Sequence, residues 1–398
     1  MNNYRNIIIN EEGEKYLTLG QMWLYRNNVK YVDTDIINGS AVNLVNDKGD
    51  YFGSGFVSLN SHITVRILTK DCDEIIDLAF FEKRIRFAVQ YRMTIMRDNF
   101  SNCRMVFGEA DELPGLIVDR YNDVLVTQIS SYGLEMIKDK LYFCLLKVLK
   151  EFDSTINYIY ERNDISIRTK EGLSEYKGFY GETTKTITTI NENGLLINVD
   201  IENGQKTGYF LDQKANRVLL RNISYGKKVL DCFSHTGGFA LNAAYGGACK
   251  VVAVDVSQKA LDKGYENAVL NGIDKSMNFV QDDVFDYLDN CPKGEFDIIV
   301  LDPPAFTKSR KTIYKAYNGY KRINYQAMKI LNKGGYLITC SCSRYMETAN
   351  FEKMLKEAAS EANVVLKQVS VTQQSADHPI LWNMEETSYL KYYIFQII

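Results

Sequence analysis

At 398 residues, 45% apolar and 24% charged, the chain carries enough nonpolar side chain for two to three folded domains of ~150 residues each. Its 47 Lys and Arg against 50 Asp and Glu leave a net charge of −3, which excludes a uniformly basic nucleic-acid coat and turns attention to local patches. Eight cysteines, at 72, 103, 144, 232, 249, 291, 340 and 342, and three histidines form no C-x-x-C pair and no zinc ligand set, so neither a disulfide framework nor a metal is expected.

The start, "MNNYRNIIINEEGEKY", has too short an apolar core and too many acids for a secretory signal, and no run reaches the ~18 apolar residues of a membrane helix. A cytoplasmic chain without membrane contact is expected. Residues 1–75 read as a small β domain, with "AVNLV", "NDKGD", "YFGSGFVSL" and "ITVRIL" in succession. The Asp47-Lys48-Gly49 turn predicts a hairpin, with Gly49 taking the positive φ. Residues 76–195 read as a mixed α+β middle domain. Its helices fall on "DLAFFEKRIRFAVQYRMTIM" and on residues 134–152, around the strands of "GLIVDRYNDVLVTQI" and "INYIYER".

From about 196 to 398, apolar strands alternate with helical segments: "KKVLDCF", "CKVVAVDV", "NFVQDD", "FDIIVLDPP", "GGYLITCSCS", "VVLKQVSV" and "SYLKYYIFQII". This pattern predicts an α/β domain with a parallel sheet, whose ligands bind beyond the carboxyl ends of the strands. In "DCFSHTGGFA", Gly237 and Gly238 let backbone approach a ligand and open a helix. Asp255 ends the second strand, 18 residues after Gly237, where a carboxylate accepts from two ribose hydroxyls. Ser257 caps the helix that follows and Gly272 stops it. Asp282 and Asp283 follow the third strand as acceptors for an adenine amino group. In "LDPPAFTKS" the two prolines remove donors, leaving carbonyls and Asp302 to face a ligand and Phe306 to offer a stacking surface.

These segments, with "LTLGQMWLYRNNV", "GEADELPGLIVDRYNDVLVTQ", "NGQKTGYFLDQKANR", "SCS", "ADHP" and "YLK", resemble from end to end the bacterial large-subunit ribosomal RNA cytosine-5 methyltransferases. The resemblance implies a PUA-like RNA-binding domain over 1–75, a docking domain over 76–195, and a Rossmann-like, seven-stranded class I methyltransferase domain over 196–398. It implies S-adenosylmethionine as cofactor, S-adenosylhomocysteine as product and ribosomal RNA as partner, with the oligomeric state open and a homodimer compatible. Cofactor contacts are implied for Phe210, Gln213, Asp231, Phe233, Ser234, His235, Thr236, Gly237, Gly238, Asp255, Val256, Ser257, Asp283, Val284, Asp302 and Pro303.

Between Thr307 and Leu331 lie seven Lys and Arg, four Tyr and no acid, a composition suited to phosphates and unstacked bases. Lys308, Arg310, Lys311, Lys321 and Arg322 are its candidate RNA contacts, joined by Arg84 and Arg86 of a smaller basic stretch. Cytosine C5 is a poor nucleophile, so methylation there requires a thiolate that adds to C6. The "SCS" motif assigns that role to Cys342, with Asp302 as proton donor to N3 of the base, while Cys340 reads as core. Two other functions remain open on sequence alone: methylation of guanine, which needs no thiolate, and a non-catalytic RNA-binding assembly factor. Amino-group methylation is disfavoured, because its usual loop carries Asn where this chain has Asp302.

Overall fold

The computed structural model describes residues 3–153, 155–181, 186–307 and 310–398. The chain divides into two compact units: residues 1–190, 199–211 and 376–387 form the first, and 191–198, 212–375 and 388–398 the second. Among the described residues no helix is long and apolar enough to cross a membrane.

The first unit holds two sheets. Strands β1 (Arg5–Ile9), β2 (Trp23–Tyr25), β3 (Val29–Val32), β4 (Ala41–Val45), β5 (Tyr51–Val57) and β6 (Ile63–Thr69), with helix α1 (Glu11–Thr18), form a six-stranded sheet in the order β2-β6-β5-β4-β1-β3. The predicted hairpin joins β4 to β5, and Gly49 there has φ +85°. Helix α2 (Leu78–Met96) is capped by the Asp77 side chain and precedes strands β7 (Arg104–Phe107), β8 (Leu116–Tyr121) and β9 (Val124–Ile129). The helix expected over 134–152 is broken at Ile137 (φ −111°, ψ 14°) into α3 (Tyr132–Met136) and α4 (Lys138–Phe152). Strands β10 (Tyr158–Asn163) and β11 (Tyr176–Tyr180) flank the short α5 (Ile167–Lys170) and complete a five-stranded sheet, β11-β10-β9-β8-β7.

Buried ion pairs tie the pieces of this unit together. Glu171 accepts both Arg66 guanidinium nitrogens, at 2.9 and 2.8 Å, and the Ser58 hydroxyl at 2.7 Å, with the Ser61 hydroxyl also bound. Arg92, with no exposed surface, donates from Nη2 to the Asp377 carbonyl (2.9 Å), and the Asp377 carboxylate accepts from the Arg104 amide (2.9 Å).

A two-stranded hairpin, β12 (Ile187–Glu192) and β13 (Leu195–Asp200), leads to the second unit. Strands β14 (Lys228–Cys232), β15 (Lys250–Asp255), β16 (Met277–Gln281), β17 (Ile298–Leu301), β18 (Tyr336–Ser341), β19 (Leu366–Thr372) and β20 (Lys391–Ile397) are the seven read from the sequence. They run in the order β16-β15-β14-β17-β18-β20-β19. The first five are parallel, as the alternation of strands and helices predicts, and β20 is antiparallel to both neighbours. Helices α6 (Lys214–Arg221), α7 (Gly238–Tyr245), α8 (Gln258–Leu270), α9 (Val284–Asn290), α10 (Ile313–Ile330) and α11 (Thr348–Glu361) separate the strands.

The pleat sorts the strand residues between two cores. Leu230, Cys232, Ile299, Leu301 and Leu337 enter one core with α10 and α11, while Val229, Ile298, Val300, Ile338 and Cys340 enter the other with α6 and α7. Strands buried on both faces are continuous apolar runs, which is why they were legible. Strand order reverses between β14 and β17, so a crevice opens at their carboxyl ends.

Candidate active site

The loop after β14 turns sharply: Phe233 (φ 61°), His235 (φ 52°) and Gly237 (φ 77°) all adopt left-handed backbone. Two of the three carry side chains, a local strain of ~1 kcal/mol or more each that the surrounding contacts must hold. Those contacts are visible. Ser234 donates its hydroxyl to Asp231 Oδ2 (2.7 Å), the Ala240 amide donates to the same oxygen (2.9 Å), and the Ser234 amide donates to the Val254 carbonyl (3.0 Å). Asp255 accepts the His235 amide on Oδ2 (2.8 Å) and the Ser257 amide on Oδ1 (2.9 Å), so backbone donors fix its carboxylate. Burial pushes the His235 imidazole below its ordinary value.

Asp231 is 1% exposed and its Oδ1 has no hydrogen-bond partner. Burial, then the nearby Asp302 and Asp255 carboxylates, push its carboxyl up to about 7. Three acids at neighbouring strand tips therefore repel one another unless a positive or donor-rich ligand enters. Gly264 of α8 completes the cradle: a Cβ there would lie 2.8 Å from Phe279 and 3.2 Å from the Thr236 backbone, so only glycine lets the helix close on the loop. The predicted Ser257 cap holds, its hydroxyl accepting the Ala260 amide (3.3 Å), while Asp283, read from the sequence only as an adenine acceptor, also caps α9 by accepting the Phe285 amide (2.8 Å). Val284 is buried in the sheet core, whereas Val256 is exposed. Phe210 belongs to the first unit, where Lys206 Nζ lies 4.5 Å from its ring centroid.

At the β17 tip, Gln213 Nε2 donates to Asp302 Oδ2 (3.1 Å), and Gln213 Oε1 accepts from Asn216 (2.7 Å), which fixes the amide's orientation. Pro303 is buried, and its carbonyl lies 4.0 Å from the half-buried Cys342 Sγ, one residue past β18. Cys340 is fully buried, and burial, with Asp302 nearby, holds its thiol well above the ordinary range. The Tyr320 hydroxyl contacts Ser343 Oγ (3.0 Å) and Ser341 Oγ (3.2 Å), bracketing Cys342.

Two residues here escaped sequence reasoning. Tyr320 looked like part of a basic aromatic surface, and Lys391 was given no role of its own. Lys391 is 8% exposed, and its Nζ donates to the Ser343 (2.9 Å) and Met346 (2.7 Å) carbonyls. A lysine opening the apolar run "KYYIFQII" was the available signal.

The candidate RNA contacts are less free than their local sequence implied. Phe306 packs in an aromatic cluster, 4.6 Å from Tyr320 and 6.2 Å from both Phe285 and Phe233, centroid to centroid. Lys321 pairs with Glu361 (2.7 Å) and Glu357 (3.2 Å) of α11, and Arg322 pairs with Asp289 (2.7 Å) of α9. In the first unit Arg86 pairs with Glu151 (2.6 Å), and Arg84 with Glu112 and with Glu74 (3.5 Å). Lys311 is exposed; Lys308 and the Arg310 side chain lie outside the described residues.

The family described as S-adenosylmethionine-dependent methyltransferase matches residues 170–395, and a PUA-like domain matches residues 7–70. A ribosomal RNA large subunit methyltransferase I from Aeromonas salmonicida is 41% identical over 383 residues, covering 95% of this chain and 96% of the relative. One of the same description from Klebsiella pneumoniae (strain 342) is 37% identical over 393 residues, covering 98% and 97%. Among solved structures, a candidate S-adenosylmethionine-dependent methyltransferase from Streptococcus mutans superposes with TM-score 0.81 at 23% identity, over 98% of this chain and 100% of that one. A candidate methyltransferase crystallised with S-adenosylhomocysteine gives TM-score 0.82 at 23% identity, with the same coverage. The acidic strand tips, the orphaned Asp231 oxygen and the glycine cradle fit a cationic nucleoside cofactor, and by sequence the chain belongs to the ribosomal RNA large subunit methyltransferase I family of S-adenosylmethionine-dependent methyltransferases.

Proposed function

We propose that this chain methylates C5 of a cytosine in large-subunit ribosomal RNA through a transient covalent bond to Cys342. The observation that carries the reading is the placement of that thiol: half-buried, just beyond β18, beside the Pro303 carbonyl and the Asp302 tip. The large-subunit RNA substrate is taken from the curated relatives, and a ribosomal substrate implies work in the cytoplasm. Segments 1–75 and 76–195 are proposed to dock the RNA, the first through its PUA-like sheet.

The chemistry follows from what each residue holds. The Cys342 thiolate adds to C6, forming an S–C6 bond and moving electron density to C5. Asp302, protonated and oriented by Gln213, donates to N3 as that density shifts. Held by Asp231, Asp255 and Asp283, the cofactor supplies an electrophilic methyl group. Once C5 carries the methyl group its proton passes to solvent, the S–C6 bond breaks to regenerate the thiolate, and N3 returns its proton to Asp302. Cys340 is unsuited to the first step, because its buried thiol resists ionisation.

RNA carrying 5-fluorocytidine at the target tests the proposal, since fluorine at C5 cannot depart as a proton does and the adduct persists. A covalent complex mapped to Cys342, absent in Cys342→Ala and retained in Cys340→Ala, is the expected result. Full methyl transfer by Cys342→Ala would sink the thiolate chemistry and favour guanine as the target. Bisulfite sequencing of ribosomal RNA from cells with and without the chain identifies the modified base independently.

A further inference from the structure

Lys391 is a buried cation without a buried anion. It opens β20, and the antiparallel register sets it opposite Ser341, one residue before Cys342. Its two recorded hydrogen bonds go to the Ser343 and Met346 carbonyls, so the side chain spans the turn that follows Cys342. Neither acceptor carries a charge, and among the described residues no carboxylate lies within ion-pair reach of Nζ. Burial lowers its pKa to about 8, opposed first by Cys342 and then by Glu347. An ammonium taken out of water at 8% exposure and given only two neutral acceptors is destabilising unless a negative group completes the site.

Among the described residues, three titratable groups on different elements interact with the charge of Cys342: Lys391 from β20, Tyr320 from α10, and Cys340 from β18. Of these three, Lys391 is the cation. Cys340 is held neutral first by burial and then by Asp302, against which the Gln213 hydrogen bond works only in part.

Resting on the reading of Cys342 as nucleophile, we infer that Lys391 is a positioning residue that clamps the Cys342–Met346 turn and supplies the counter-charge favouring the Cys342 thiolate. The pairing is reciprocal: a thiolate offsets the burial of the ammonium, and the ammonium offsets the negative charge left on sulfur. It also explains how two cysteines two residues apart, one inside β18 and one just past its end, acquire different reactivity.

The test needs neither RNA nor cofactor. Iodoacetamide alkylates the thiolate, so its rate against pH, read at the Cys342 peptide by mass spectrometry, titrates this thiol in the full chain. The wild-type midpoint is expected below the ~8.5 of a free cysteine. In Lys391→Met it should rise by about one unit or more, slowing alkylation at pH 7 roughly tenfold, with Lys391→Arg restoring most of the loss. Thermal unfolding is measured alongside, because a merely structural lysine would lower stability and leave the midpoint in place. That result overturns the inference, as does a wild-type midpoint at or above ~8.5, which requires no variant to fold. If instead the midpoint moves as expected while Cys342→Ala still methylates RNA, the counter-charge stands and the nucleophile assignment falls.

Discussion

Cofactor affinity should depend on pH through Asp231. Its carboxyl, 1% exposed and facing Asp302 and Asp255, is held up to about 7 without ligand. The sign follows directly: the ligand-free fold keeps a proton there that the unfolded chain gives up near 4, so this group's stabilising contribution is lost as pH rises through 7. S-adenosylmethionine carries a sulfonium and an ammonium, so its binding favours the ionised form and expels the proton. At pH 6 about nine-tenths of such carboxyls are protonated and at pH 8 about one-tenth, so affinity should rise roughly tenfold, ~1.4 kcal/mol, between them. Calorimetry in buffers of different ionisation enthalpy should find close to one proton released per cofactor at pH 6 and almost none at pH 8. The variant Asp231→Asn should bind more weakly at pH 8 and show neither effect. A pH-independent affinity with no proton release would mean that the three carboxylates do not face the cofactor's charge.

Asp255→Ala should weaken cofactor binding by ~1 to 3 kcal/mol, because the proposed ribose acceptor is lost and the His235 and Ser257 amides lose their shared partner; unchanged calorimetric affinity in a folded variant would remove Asp255 from the site. Lys311→Glu should flatten the salt dependence of RNA binding by about one counterion, whereas Lys321→Glu, set beside Glu357 and Glu361, should chiefly lower thermal stability. Equal salt slopes for wild type and Lys311→Glu would make that stretch a solvated face. In the first unit Glu171→Gln leaves the buried Arg66 guanidinium without its carboxylate and should lower unfolding free energy by ~3 kcal/mol or more; a loss under ~1 kcal/mol in a denaturant titration would show that water or a neighbour replaces the pair.

The seven strands of the catalytic sheet, its acidic tips, the Gly49 hairpin and the Ser257 cap were legible because each rests on local chemistry: an apolar run, a turn glycine, a hydroxyl before a helix. Lys391 was not. Its burial is decided by a strand pairing 48 residues away, where Ser343 turns its carbonyl inward. The run Thr307–Leu331 misled in the same way, since it contains no acid, yet α9 and α11 bring Asp289, Glu357 and Glu361 to its cations. Phe306 likewise read as an open stacking face until Tyr320 and Phe285 closed on it. Nothing local in "ADHP" marks the segment 376–387 as belonging with the N-terminal residues.

That last feature bears on how the protein is made. The Arg104 amide finds the Asp377 carboxylate across 273 residues, and Arg92 reaches the same residue's carbonyl across 285. At ~5 to 20 residues per second, translation leaves these groups waiting roughly 15 to 55 seconds for Asp377 to be synthesised. A nascent chain cut short at residue 375 would have both sheets of the first unit but not the Asp377 carbonyl that accepts from Arg92 Nη2. Vectorial synthesis therefore completes the catalytic strands β14 to β19 before the unit that begins the chain, and the N-terminal unit, first to emerge, is among the last to close.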